Sequence, residues 1–276
     1  MKVKRRVLAV LLGCALVGSG VALIWPRGPK EPEYQGERLS YWLGLPMQPV
    51  LISDVRGKAP NPETIVAVRK MGTNALPFLV EWVSYEPAKW QSATVLWLER
   101  RQLKLPLIAD VLTRKKKRAD AAGLGFASLG AEANEAVPAL GEAISRHKGT
   151  AAAQRCLSAL WFIHQSGGDI SPVVPQLLAL EVDRLKSVSG PSVVTSYTQI
   201  FDYKQDCVSG LRAALRHRDQ EVREEALKQL YVYCAVGGGD PEVIRIGLKD
   251  QSKDVAEYAA RLLAQLVQRQ TETKSR

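Results

Sequence analysis

From residue 62 onward the apolar positions fall at helical spacing, and one four-residue pattern keeps returning. Leu76-Pro77-Phe78-Leu79, Leu105-Pro106-Leu107-Ile108, Val137-Pro138-Ala139-Leu140 and Val174-Pro175-Gln176-Leu177 each read aliphatic, proline, any residue, aliphatic, with prolines 29, 32 and 37 positions apart. Val208-Ser209-Gly210-Leu211 and Val243-Ile244-Arg245-Ile246 keep the interval without the proline, Ser209 and Ile244 lying a further 34 and 35 residues on. A recurrence of this length is the signature of stacked helical hairpins, each too small to bury its own apolar face.

The pattern predicts pairs of helices. First helices are expected at 62–71, 88–101, 117–129, 150–164, 191–202, 221–234 and 252–268. Each second helix opens at the tetrad, where proline fits because first-turn amides have no intrahelical acceptor and its fixed φ is already helical. Leu76, Leu79, Val80 and Val83, then Leu105, Ile108, Val111 and Leu112, then Val137, Leu140, Ala143 and Ile144 form stripes that need a neighbouring helix to cover them. Val255, Ala259, Leu262, Leu263 and Leu266 close the array, and residues 269–276 read as a frayed polar tail. The expected fold is therefore all-α, an α-solenoid of about six to seven short hairpins over residues 62–268.

The segment before the repeats has a different character. Residues 1–27 carry Lys2, Lys4, Arg5, Arg6 and Arg27 with no acidic residue, and Val7 to Trp25 is uncharged. As a helix that run is about 28 Å long against a hydrocarbon core of about 30 Å, so it can span a bilayer. The basic residues precede it, which predicts a cytoplasmic N-terminus and an exported body. A cleaved signal peptide competes, because Val17-Gly18-Ser19 and Gly20-Val21-Ala22 are small-residue sites of the right kind; Leu11-Leu12-Gly13-Cys14 also resembles a lipobox. Residues 28–61 read as a polar linker, with a short capping helix at 39–45 whose Leu39, Trp42 and Leu43 share a side, and then a proline-rich loop.

Two stretches bring in a family. Arg118-x-x-Ala121-Ala122-x-Leu124-Gly125, followed by Leu129-Gly130 and Ala136-Val137-Pro138-Ala139-Leu140, resembles the consensus of bacterial HEAT repeats, and Asp219-x-x-Val222-Arg223-x-x-Ala226-Leu227-x-x-Leu230 repeats the first-helix half. Tyr34-x-Gly36-x-Arg38-Leu39-Ser40-x-Trp42-Leu43 is similar to the leader of uncharacterised bacterial membrane-anchored HEAT-repeat proteins. The resemblance implies a right-handed α-solenoid used for protein interaction, with repeats shorter than the family's usual length of about 40 to 47 residues.

Chemistry is sparse. His147, His164 and His217 are each followed by a residue other than glutamate, Cys156, Cys207 and Cys234 have no Cys-x-x-Cys spacing, and no phosphate loop or nucleophile elbow is present. The expectation is a non-enzyme with no cofactor and no metal. Net charge is +10 with pI near 9.5, yet residues 1–27 supply five of the basic groups, so the body is only mildly basic and nucleic acid is not an expected partner. Two residues beyond the tetrads lie Glu81, Asp110 and Glu142, a candidate acidic row; Arg212, Arg216, Arg245 and Lys249 hold the equivalent zone later, a candidate basic surface. Together they suggest a polarised groove for an extended peptide or an envelope protein. The densest charge run is Arg114 to Arg118, a solvated turn or a contact for anionic headgroups or an acidic partner. The expected role is a membrane-anchored interaction scaffold, with a HEAT-like enzyme of the lyase or glycosylase type, or a structural spacer, as alternatives.

Overall fold

Helix boundaries in this chain follow local capping chemistry. The computed structural model describes residues 30–45, 48–49, 58–101, 106–187, 205–237 and 239–274, and it is mostly helical. The segment read as a membrane span, the 191–202 helix and most of the proline-rich loop lie outside those residues. Among the described residues no helix is long and apolar enough to cross a membrane. In chain order the helices are α1 (Leu39–Trp42), α2 (Pro62–Met71), α3 (Leu76–Val83), α4 (Lys89–Arg100), α5 (Pro106–Leu129), α6 (Val137–Arg146), α7 (Ala151–Gln165), α8 (Val174–Ser187), α9 (Gln205–Ala214), α10 (Gln220–Gly237), α11 (Glu242–Arg245) and α12 (Lys253–Lys274). Tight 3-10 turns at Gly72–Ala75, Gly130–Ala136 and Ser171–Val173 lead directly into α3, α6 and α8, whose tetrad prolines sit in the first turn as expected.

The leader is better ordered than a polar tether. Strands β1 (Glu33–Tyr34) and β2 (Glu37–Arg38) pair antiparallel around Gln35-Gly36, both at positive φ, the two-residue hairpin turn whose second position suits glycine. Trp42 Nε1 donates to the Tyr34 carbonyl at 3.3 Å, and Thr64 Oγ1 donates to the Trp42 carbonyl at 2.8 Å, so the leader is fastened to α2. Leu39, Trp42 and Leu43 are all buried there, on the shared side that their spacing indicates. Strands β3 (Gln48–Pro49) and β4 (Lys58–Ala59) form a second short pair ahead of α2.

The second tetrad behaves differently from the others. Instead of one helix over 105–112 and another over 117–129, α5 runs unbroken through both. No Gly, Pro or Asn separates Leu112 from Asp120, lysine and arginine are good helix formers, and i,i+4 pairs bridge the junction: Arg114 to Asp110 and Lys116 to Asp120, each at 3.2 Å. Consequently α2 and α3 pack on the C-terminal half of α5, where Leu79 lies over Gly125. Helix α4 and the first turns of α5 are left outside this packing. Trp90, Leu96, Trp97 and Val111 are 62, 53, 53 and 67% exposed.

Beyond α5 the contacts pass from neighbour to neighbour. Helices α5 and α6 pack on α7, α6 and α9 on α8, α8 and α9 on α10, and α10 on α12, around one continuous apolar core from Leu39 to Leu266. Two boundaries depart from expectation. Gly247, fitted against Leu227 and Ala259, lies in a 3-10 turn (Ile246–Lys249) that follows α11, and Ile246, the last aliphatic of its tetrad, is 48% exposed. Helix α12 continues to Lys274 because nothing between Gln268 and Lys274 breaks it.

Glycine at the helix crossings sets how closely elements approach. A Cβ at Gly210 on α9 would sit 2.6 Å from Val174 Cβ and 2.8 Å from the Ser171 carbonyl, whereas one at Gly123 on α5 would meet nothing. Gly210→Ala is expected to destabilise the fold by about 1–3 kcal/mol through overpacking, and Gly123→Ala to stabilise it by up to about 1 kcal/mol through helix propensity. Denaturant unfolding of the two variants checks both signs.

Candidate functional site

Arginine 223 organises the C-terminal third of the chain. From α10 its guanidinium grips Asp250 in a bidentate pair, Nε to Oδ2 at 2.8 Å and Nη2 to Oδ1 at 3.0 Å, and Nη1 donates to the carbonyls of His217 and Arg218 at 2.9 and 3.2 Å. Both side chains are almost wholly buried, where a planar five-donor group satisfies what an ammonium cannot. Asp250 also accepts from Ser252 N at 2.8 Å, just ahead of α12. One ion pair thereby fixes the turn after α9 against the turn before α12.

Between those two turns opens a cavity of about 800 Å³, lined by Leu215, Arg216, Arg245, Ile246, Leu248 and Lys249 above the Arg223–Asp250 pair. Arg245 is engaged by Glu242. Arg216 and Lys249 have no acidic partner among the described residues. Ile246 and Leu248 are 48 and 43% exposed beside them. The mouth therefore combines free positive charge with aliphatic surface. His217 also lines the opening, and its Nδ1 accepts from Asp219 N at 3.1 Å.

Of the basic residues singled out in the sequence, Arg216, Arg245 and Lys249 come together at this cavity, while Arg212 is exposed one turn earlier on α9 and does not line it. The acidic candidates are not gathered there. Glu81 is exposed on α3, and Glu142 is exposed on α6 with Arg146 3.9 Å away. Asp110 belongs to the first half of α5 rather than to the second helix of a hairpin. Its carboxylate accepts from Lys117 at 3.0 Å and Arg114 at 3.2 Å, bonds that hold its pKa below the ordinary carboxylate value and occupy its charge.

The cysteines of the described residues are buried, as is His164 among the histidines. Cys156, Cys207 and Cys234 are buried thiols, and no disulfide joins Cys207 to Cys234. Burial pushes the Cys156 thiol up to about 11, which suppresses its thiolate at neutral pH. His164 is buried on α7 with Nε2 3.6 Å from Cys207 Sγ. Among the described residues no group of three His, Cys, Asp or Glu side chains is placed to hold a metal.

The pair beneath the cavity was invisible in sequence because Arg223 and Asp250 are 27 residues apart and each reads as a surface charge. Removing Arg223 leaves a buried carboxylate and two carbonyls unsatisfied, so Arg223→Ala is expected to cost about 3–5 kcal/mol. Urea unfolding measures the loss, and a cost below about 1 kcal/mol would contradict this role for the pair. Family models, curated proteins and solved structures were each compared with the chain, and none matches.

Proposed function

We propose that this protein is a non-catalytic, membrane-anchored interaction scaffold whose body is a right-handed α-solenoid of HEAT-like hairpins. The uncharged run from Val7 to Trp25 serves as the anchor, and the body works on the far side of the membrane from the basic N-terminus. The partner is an envelope protein that presents an extended acidic segment carrying an aliphatic side chain. The observation that supports this reading is the cavity between α9 and the 246–251 turn, where Arg216 and Lys249 keep free charge beside exposed Ile246 and Leu248.

The physical reasoning is complementarity of charge and apolar surface. Free cations at a solvent-filled mouth steer an acidic segment and fix its register, while Ile246 and Leu248 offer area to bury on contact. The neighbour-to-neighbour helix packing suits such a role, since stacked hairpins offer extended surfaces to partners. The spacing and helical placement of the tetrads at Leu76, Val137 and Val174 support the repeat reading.

Affinity capture from detergent-solubilised membranes tests it with the full chain as bait. The wild type should enrich a specific membrane or envelope protein, and Arg216→Glu combined with Lys249→Glu should cut that enrichment by roughly tenfold or more while helicity stays unchanged. Equal enrichment by the two baits would overturn the assignment of the partner to this cavity.

A further inference from the structure

The excess positive charge of this chain is concentrated in two segments. Residues 89–118 carry nine basic residues against two acidic, and residues 1–27 carry five basic and none acidic, which leaves 24 basic against 26 acidic residues in all the rest. The net charge of +10 is thus a property of the N-terminus and of the α4–α5 hairpin. That same hairpin bears the exposed Trp90 and Trp97.

We infer that the α4–α5 hairpin is a membrane-contact surface that rests on an anionic lipid bilayer. The inference depends on the anchor reading of residues 7–25. On α4, Trp90 and Trp97 are seven residues apart, two turns along one face, and Arg101 continues that face at the next turn. Tryptophan flanked by arginine is the composition that settles at the level of lipid headgroups, the indole in the interface and the guanidinium at the phosphates. On α5, Val111 shares a face with Arg114, Lys115 and Arg118 at i+3, i+4 and i+7. Long basic side chains there can extend past an apolar patch to reach anionic groups.

Geometry at the leader brings this hairpin to the membrane. Glu31 accepts from Ser40 N at 3.0 Å and pairs with Arg118 at 3.4 Å. Glu31 lies only six positions after Trp25, the end of the apolar run, a span of at most roughly 20 Å. Arg118 is therefore held close to the bilayer boundary whenever residues 7–25 cross it. A cavity of about 400 Å³ opens at this junction, lined by Arg38, Tyr41, Trp82, Arg114, Lys117 and Arg118, with the Arg118 guanidinium 5.4 Å from the Trp82 ring centre. Asp110 offsets part of the charge of Arg114 and Lys117, and Asp120 that of Lys116, while Lys115 lies 5.8 Å from the Tyr85 ring centre and has no carboxylate partner among the described residues.

The test uses the full chain in nanodiscs of phosphatidylglycerol or of phosphatidylcholine, each with brominated acyl chains that quench nearby tryptophan. The emission lost between the wild type and Trp90→Phe/Trp97→Phe reports the hairpin alone. That component should be quenched by about half or more in phosphatidylglycerol and little in phosphatidylcholine. Lys115→Glu/Lys116→Glu/Lys117→Glu should abolish the difference. Chain retained in both discs with equal quenching, or with none, overturns the membrane contact and leaves the anchor standing; an acidic protein partner for the hairpin would give this outcome. Chain that co-purifies with neither disc overturns the anchor and the contact together.

Discussion

Among the described residues the helices between Pro62 and Leu266 bury their apolar stripes mainly against the helices packed beside them, and the rest of the structure depends on that constraint. Each interface must be close, so glycine stands where helices cross, at Gly125 under Leu79, Gly210 against Val174 and Gly247 against Leu227. Each helix end at an interface also leaves carbonyls without intrahelical donors. Arginines donate to carbonyls at or just beyond several of these ends. Arg69 donates to the Ser128 carbonyl at 2.9 Å, Arg155 to those of Val83 and Tyr85, and Arg223 to those of His217 and Arg218. Apolar contact and arginine clamp thus recur together along the chain, and the clamp at Arg223 also shapes the basic cavity.

What the sequence revealed and what it concealed follow from the range of the forces involved. Proline in a first turn and asparagine or aspartate at a cap act over a few residues, so the starts of α2, α3, α6 and α8 were legible in Asn61-Pro62, Pro77, Pro138 and Pro175. Asp240 accepts from Glu242 N at 2.9 Å just ahead of α11. The continuity of α5 was misread because the tetrad at Leu105 implied a hairpin, whereas the stretch after Leu112 contains no residue that stops a helix. Of the basic candidates, Arg216 just beyond α9, Arg245 at the end of α11 and Lys249 in the turn that follows it line one cavity, and Arg212 does not because it lies a turn earlier on α9. The Arg223–Asp250 pair and the Glu31–Arg118 pair join distant residues, and no local pattern announces such contacts.

Charge is arranged by position rather than spread over the surface. The N-terminus and the α4–α5 hairpin hold the excess positive charge, and the remainder of the chain is close to neutral. At the other end, Arg216 and Lys249 form a small local exception, held open by a buried ion pair and edged by Ile246 and Leu248. The proposed membrane contact and the proposed partner surface rest on these two separate groups of charge. Burial holds the Cys156 thiol up at about 11, so it stays neutral at physiological pH.

Site-specific photo-crosslinking in intact cells tests the central claim most directly, with the crosslinking amino acid placed at Leu248, on the exposed rim of the basic cavity. The account predicts one dominant adduct with an envelope protein, mapping to an acidic segment of that partner and lost when Arg216 and Lys249 are reversed in charge. No adduct, or an adduct indifferent to those two charges, would contradict it.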